Sequence, residues 1–452
     1  LAIRQITQLN KGKKTAGIDG IKSLDFSQRF QVFFSLNSVK QWEPKELRRI
    51  SIPKKNGKTR ILSVPTIQDR IWQCLIKFSI EPAHEAIFHA KSYGFRPGRC
   101  AQDAQKTIFD NLRSTAHGIK KRVIELDIKK CFDRINHESI MSKLTAPIEI
   151  KNAIFKSLKA GVFPEFPEQG TPQGGVYSPL LANIALNGIE DIHNSVRYAD
   201  DMIFILKEHD NAELILDKVK TFLAKRGMEI SEEKTRITPV TNGFDFLGWR
   251  FKVQKNGKFR CTPSEENFQT FRGKVKAIVN NSNYGAKVKS QKLIPIVRGW
   301  RNYHKHCSSM DSARFSLWFI RRRAFKVFSK EKKLNRYECE KLIQKVFNLG
   351  NDSSSPKEKK KFFSENRFIK VKGDKSPYDG DVIYWTKRNS KLYSGTTAKL
   401  LDKQNHKCGY CGLMFENNEM VHLHHIDHNH NNWKHNNLVV IHQSCHQYTH
   451  ME

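Results

Sequence analysis

No run of apolar residues in this 452-residue sequence approaches the ~20 that a membrane-spanning helix needs, which excludes a chain threaded through a bilayer by helices. Acidic residues are scarce beside basic ones. Asp plus Glu number 45 against 79 Lys plus Arg, leaving a formal charge of +34. An excess of that size points to a polyanionic partner, and nucleic acid is the default. Cysteine is sparse and odd in number, at nine; Cys74, Cys100, Cys131, Cys261, Cys307 and Cys339 are scattered without the pattern of a disulfide framework, which predicts a reducing compartment. The chain lacks an initial Met, opening on Leu1, and lacks a signal peptide, so a preceding N-terminal piece is expected. It also lacks repeats. What is present is apolar enough, at 38% hydrophobic and 10% aromatic, to build two or three domain cores and not a disordered basic tail.

Histidine divides the sequence: ten of the 18 lie between His406 and His450, with three of the cysteines, and mark a separate C-terminal module. Before it, Asn351 to Lys361 reads as a polar linker, and Phe362 to Lys399 is basic and weakly periodic. Arg49 to Val64 predicts a hairpin turning at Asn56-Gly57. Val123 to Ile128 and Val196 to Leu206 predict strands, and Asn211 to Lys225 a helix stopped by Gly227. From residue 262 the period is helical. Thr262-Pro-Ser-Glu265 predicts a capping box with Pro at the first helical position, then Phe268, Phe271, Val275 and Ile278 line one face. Leu293, Val297, Trp300 and His304 line a second helix; Leu317, Trp318, Phe325 and Phe328 line a third, around Arg321-Arg322-Arg323.

The segment Val196-Arg-Tyr-Ala-Asp-Asp-Met-Ile-Phe-Ile-Leu206 places Asp200 and Asp201 side by side at a turn between apolar strands. Paired carboxylates there are either solvated or neutralised by a cation, and taken alone solvation is the commoner case. Asp127 ends another predicted strand, and three carboxylates on neighbouring strand ends suit two Mg²⁺ ions that activate a 3′ hydroxyl and stabilise leaving pyrophosphate.

Gly17-Ile-Asp-Gly20, Lys91-Ser-Tyr-Gly-Phe-Arg-Pro-Gly-Arg99, Gly170-Thr-Pro-Gln-Gly-Gly-Val-Tyr-Ser-Pro179, Tyr198-Ala-Asp-Asp201 and Gly243-Phe-Asp-Phe-Leu-Gly-Trp249 resemble, in order, the blocks of reverse transcriptases encoded by group II introns. The resemblance implies an α+β chain with an N-terminal extension over 1–45, right-hand polymerase fingers and palm over 46–260, an α-helical thumb (domain X) over 261–350, a basic linker or DNA-binding region over 351–402, and a small zinc-stabilised ββα-metal HNH domain over 403–452. It makes Asp127, Asp200 and Asp201 the metal-binding catalytic carboxylates. Lys54 and Arg60, on the two hairpin arms, would grip the dNTP triphosphate, Phe132 would exclude a ribose 2′ hydroxyl, Gln173 would contact nucleotide or template, and Lys234 would lie near the triphosphate. Arg298-Gly-Trp-Arg-Asn-Tyr-His304 resembles the thumb signature, with Arg298, Arg301, Lys305, Arg321, Arg322 and Arg323 expected to meet the intron RNA backbone. Trp300 is expected in the core.

In the C-terminal module, Cys408-Gly-Tyr-Cys411 and His442-Gln-Ser-Cys445 are matched pairs whose spacing suits a tetrahedral structural Zn²⁺ site. The rest resembles an HNH endonuclease. That implies His425 as general base, His424, His446 and His450 as ligands of one catalytic divalent cation, and Asn437 as the residue orienting the base. Asp427 and His428 form a rival ligand–base pair, because Asp427-His-Asn-His-Asn-Asn-Trp433 stands where the family has a Gly-rich stretch; Asp191 to Val196 is also shorter than the family segment. The expected partners are group II intron RNA, target DNA and dNTPs, without a membrane. The expected location is bacterial cytoplasm or an organelle, and the expected activity is maturase-assisted splicing with target-primed reverse transcription. A splicing-only cofactor and a reverse transcriptase of another lineage are the rivals.

Overall fold

A computed structural model describes the chain except residues 37, 54–56, 58, 161–167, 309–316, 332–333, 348–367, 374, 394–395, 416–418, 420 and 451–452, and the side chains of residues 60, 391 and 392. Mixed helix and sheet are organised as follows. Helix α1 (Phe26–Ser35) precedes the hairpin β1 (Arg48–Pro53) and β2 (Thr59–Val64), then come α2 (Ile67–Ile87) and α3 (Ala101–Leu112). The predicted hairpin is present, with Pro53↔Thr59 the last pair among the described residues; the Asn56-Gly57 turn expected lies outside them.

The palm sheet contains β3 (Arg122–Leu126), β4 (Ser195–Tyr198), β5 (Asp201–Leu206) and β6 (Arg236–Pro239) in the order β4-β5-β3-β6, all antiparallel. The unbroken apolar run of β5 has a simple cause. Met202, Phe204 and Leu206 enter one core with Ile124 and Leu126, while Ile203 and Ile205 enter another with Val123 and Val196. A strand covered on both faces cannot show polar alternation. The first core includes α4 (Ser178–Leu186) and α5 (Ala212–Ala224), the latter the helix expected over Asn211 to Lys225 and capped by Asn211. The second includes a three-stranded sheet, β7 (Phe244–Phe246), β8 (Trp249–Val253) and β9 (Phe259–Pro263).

The thumb is a bundle of α6 (Glu265–Val279), α7 (Ala286–Tyr303), α8 (Trp318–Phe328) and α9 (Arg336–Phe347). Its first cap differs from expectation: Pro263 ends β9, and Ser264 is the N-cap, accepting from Asn267 N. Trp300 is buried against Phe271 as expected, whereas Trp318 is exposed, because the chain enters α8 through the buried Leu317 at positive φ.

The region expected to be a linker is folded from residue 368 onward. Phe368 and Val371 are buried, and α10 (Val382–Leu392) lays Trp385 into the second palm core. Its sequence signal was weak because its buried groups are few and include a charged one, Arg388. Helix α11 (Thr396–Lys403), the hairpin β10 (Val421–His425) and β11 (Leu438–His442), and α12 (Gln443–Tyr448) then form the small module, with a core of Leu400, Leu401, Phe415, Leu438, Val440 and Ile441.

Candidate active sites

The β4–β5 pair Tyr198↔Asp201 is closed by Ala199 and Asp200, with Ala199 at positive φ. Register carries the rest: Leu126 pairs with Met202, so Asp127 follows at the strand end beside Asp201. Desolvation in this cleft, then the charges of Asp200 and Asp127, push Asp201 up to about 6 against the pull of Lys234. Like charges crowded this way favour binding of a divalent cation. Lys234 Nζ lies 3.1 and 3.2 Å from the Asp127 oxygens, which places it beside the carboxylates.

Two buried features that the sequence reading did not single out shape the turn. Arg197, fully buried, pairs with Glu190, donates to Asn183 Oδ1 at 2.8 Å and reaches Ala199 O at 3.2 Å. Burial alone would raise the Glu190 carboxyl, but the Arg197 guanidinium and further hydrogen bonds hold it below the ordinary value. Gly94 lies against the turn, and a Cβ there would come within 2.7 Å of the Tyr198 carbonyl carbon. An Arg inside an apolar strand and a Gly in a loop were the available signals.

Phe132 and Gln173 are brought together because residues 170–171 hydrogen-bond back along 132–135: Gly170 N donates to Ile135 O, and Thr171 N to Phe132 O. Gln173 Nε2 donates to Asp133 Oδ1 at 2.8 Å, while its main-chain carbonyl accepts from Ser63 N and ties the loop to β2. Lys54 and the side chain of Arg60 lie outside the described residues.

On the thumb, Arg298, Arg322 and Arg323 are exposed, Lys305 and Arg321 half-buried. Arg301 is not an RNA contact: it is 5% exposed and donates to Phe347 O at 2.6 Å, joining α7 to α9. Tyr303 was missed. Its ring stacks on Trp249 and its hydroxyl donates to Leu247 O, fastening the thumb to the β7–β8 turn.

In the small module, ligand atoms of Cys408, Cys411, His442 and Cys445 lie within 4.8 Å of one another, and so do those of His424, His446 and His450. The first set fits a structural metal. Burial pushes the Cys408 thiol up, but backbone hydrogen bonds from residues 410, 411 and 442 bring it to about 7, favouring the thiolate. His442 Nδ1 faces Cys411 Sγ at 3.3 Å while its Nε2 lies 3.1 Å from Glu419 Oε2, the outer carboxylate that orients a metal-ligating imidazole. In the second set, burial and then neighbouring imidazoles lower His424 and His446, keeping them in the neutral form a metal takes.

Strand alternation separates the paired histidines. The ring of His424 meets His446 and His450, whereas that of His425 meets His430 and Trp433. His425 Nε2 is buried without a hydrogen-bond partner among the described residues. Asn437 does not bond the His425 ring; it binds Asp427, accepting from its N–H and donating to its carboxylate, and so braces the loop after His425. Of the rival pair, Asp427 accepts from Asn432 and Asn437, and the His428 ring lies 5.2 Å from the His424 ring centroid and 5.6 Å from that of His450.

With this geometry in hand, similarity to known proteins is informative. Residues 52–251 match the family described as reverse transcriptase (RNA-dependent DNA polymerase), residues 1–36 the N-terminal domain of reverse transcriptase, and residues 268–342 the group II intron, maturase-specific domain. The chain is 39% identical over 372 residues to Maturase-like protein 1 of Euglena gracilis, covering 81% of each chain. It is 25% identical to the group II intron-encoded protein LtrA of Lactococcus lactis, covering 92% of this chain and 86% of that one. Among solved structures, apo telomerase from Candida tropicalis aligns with a TM-score of 0.40 at 14% identity over 68% of this chain and 63% of that one, too weak a likeness to carry an argument. The palm carboxylates, the maturase-specific thumb and these relatives agree: the chain belongs to the family of group II intron-encoded reverse transcriptases and maturases.

Proposed function

We propose that the chain copies RNA into DNA, binds its group II intron RNA to assist splicing, and nicks a DNA target whose 3′ end then primes the copy. The observation that carries the polymerase reading is the set Asp127, Asp200 and Asp201 on adjoining strand ends, with the raised Asp201. Bound Mg²⁺ would activate the primer hydroxyl and offset charge on the leaving pyrophosphate. The protein's part is to present these carboxylates on a turn braced by Arg197, to exclude a ribose 2′ hydroxyl with Phe132, and to orient the templated base with Gln173. Lys54, Arg60 and Lys234 supply positive charge toward a dNTP. Arg298, Lys305 and Arg321 to Arg323 neutralise RNA phosphates; Arg301 supports them from within.

For the nuclease, His424, His446 and His450 would hold one divalent cation, with Cys408, Cys411, His442 and Cys445 holding Zn²⁺. The base that activates water is His425, with its unpartnered Nε2, or His428, which stands beside two of the three ligands, His424 and His450. An organelle or a bacterial cytoplasm is the proposed location, and among the described residues no helix is long and apolar enough to cross a membrane.

The test is Mg²⁺-dependent extension of a DNA primer on an RNA template beside Asp200→Ala, with nicking of intron-target DNA by His425→Ala and His428→Ala. Extension abolished by Asp200→Ala supports the polymerase; a wild-type chain that splices but never extends a primer points to a splicing-only cofactor. Nicking lost in one histidine variant and kept in the other assigns the base, nicking kept in both removes both histidines from that role, and a wild-type chain that never nicks removes the nuclease assignment.

A further inference from the structure

Residues 91–99 are pressed between the polymerase's catalytic turn and the chain that follows the thumb. On the turn side, Tyr93 N donates to Arg197 O and Arg197 N to Lys91 O, while Gly94 abuts Ala199. Arg96 anchors the middle of the segment to α2 through a buried pair with Glu85, Nη2 to Oε2 at 2.9 Å, and donates to the carbonyls of His89 and Ser92. On the far side stands α10. A Cβ on Gly98 would meet the Trp385 ring at 2.6 Å, and Arg388 Nη1 donates to Gly98 O at 2.9 Å.

The other terminal nitrogen of Arg388, Nη2, spans both oxygens of Asp103 at 2.9 and 3.0 Å. Asp103 is fully buried; it also caps α3 by accepting from Cys100 N and takes Val371 N at 2.7 Å. Arg99 closes the clamp by donating to Gly373 O. A buried ion pair fixes geometry more than it adds stability, and here Arg388 Nε is left without a hydrogen-bond partner among the described residues. Beyond the palm, α10 also meets the metal-binding module, where Thr386 Oγ1 donates to Phe415 O at 3.1 Å.

We propose that Trp385 and Arg388 are positioning residues for DNA synthesis: from outside the polymerase core they hold residues 91–99, and through them the turn bearing Asp200 and Asp201. The same helix makes the attitude of the C-terminal module and the shape of the catalytic turn interdependent. No contact of either residue with nucleotide is implied. This rests on the polymerase reading above.

The experiment uses the full chain carrying Arg388→Met, with Arg388→Lys as the milder variant. Steady-state primer extension gives kcat and KM, and hydrogen exchange follows the backbone of residues 91–99 and 195–202. A misplaced reacting group costs up to about 100-fold; Arg388→Met should lower kcat by about 10-fold or more, leave KM for primer–template unchanged, and speed exchange in both segments. Arg388→Lys keeps the charge but cannot span Asp103 and Gly98 together, and should show an intermediate loss. A folded Arg388→Met with wild-type kcat and wild-type protection overturns the proposal. If that variant does not fold, Arg388→Lys is read alone, and wild-type behaviour there overturns it equally. A wild-type chain that extends no primer removes the polymerase reading and this proposal together, whereas an active wild type with indifferent variants removes the proposal only.

Discussion

Asp201 bears the conflict between stability and function most directly. Its carboxyl is raised to about 6, so it holds its proton in the folded chain over a range where the unfolded chain has released it. In the metal-free protein this group therefore costs stability progressively as pH rises from about 4 to 6, and the cost persists above that. Asp201 is solvent-accessible, and screening limits the effect to about 1 kcal/mol. Asp201→Asn is expected to raise Tm of the metal-free chain at pH 7.5, to leave Tm at pH 4 unchanged, and to abolish primer extension; a thermal melt at the two pH values checks it. Gly94→Ala is the steric counterpart: with no room for a Cβ beside Tyr198 and Ala199, extension should fall by about 100-fold while RNA binding stays intact, as filter binding would report. The twin aspartates and the apolar strands around them were legible because the pattern is local. The brace was not: only the fold brings Glu190 and Asn183 to Arg197.

At the scale of elements, the thumb separates two kinds of arginine. Arg301 joins α7 to α9 from within, and burial pulls its guanidinium down to about 10. Arg301→Ala should cost about 1–3 kcal/mol in thermal or denaturant unfolding with little change in the salt dependence of RNA binding. Arg322 and Arg323 lie on the outer face of α8, Arg322 over the exposed Trp318 ring. Arg322→Ala and Arg323→Ala together should reduce the slope of log affinity against log salt by about 2 and leave Tm unchanged. An unchanged slope would remove α8 from the RNA interface. Helical period identified the bundle and the burial of Trp300, but period alone could not say which arginine faces inward. Two residues three apart in one motif, Arg298 and Arg301, ended on opposite sides of that boundary.

For the whole molecule, we propose that the C-terminal module folds with the help of bound metal besides its own core. That core is small, and the Cys408, Cys411, His442, Cys445 group and the His424, His446, His450 group gather where burial is thin. A chelator strong enough to strip Zn²⁺ should abolish near-native hydrogen-exchange protection over residues 406–450 and stop nicking. The palm should keep its protection, and primer extension should return once Mg²⁺ is restored. Loss of palm protection as well would mean that the module stabilises the polymerase through α10.

Much of this architecture was determined by local pattern. The apolar strands, the aspartate turn, the Asn211 cap, the helical period of the thumb and the Cys/His pairs each depend on residues close in sequence, where backbone geometry dictates spacing. Tertiary structure alone decided the rest: that Arg301 and Arg197 are internal, that Asn437 braces a loop, and that Phe368, Val371 and Trp385 are buried, the last two in the palm core. Each depends on a partner distant in sequence. Asp103 and Arg388 are 285 residues apart, and no periodicity or composition records that two such groups will be desolvated against each other.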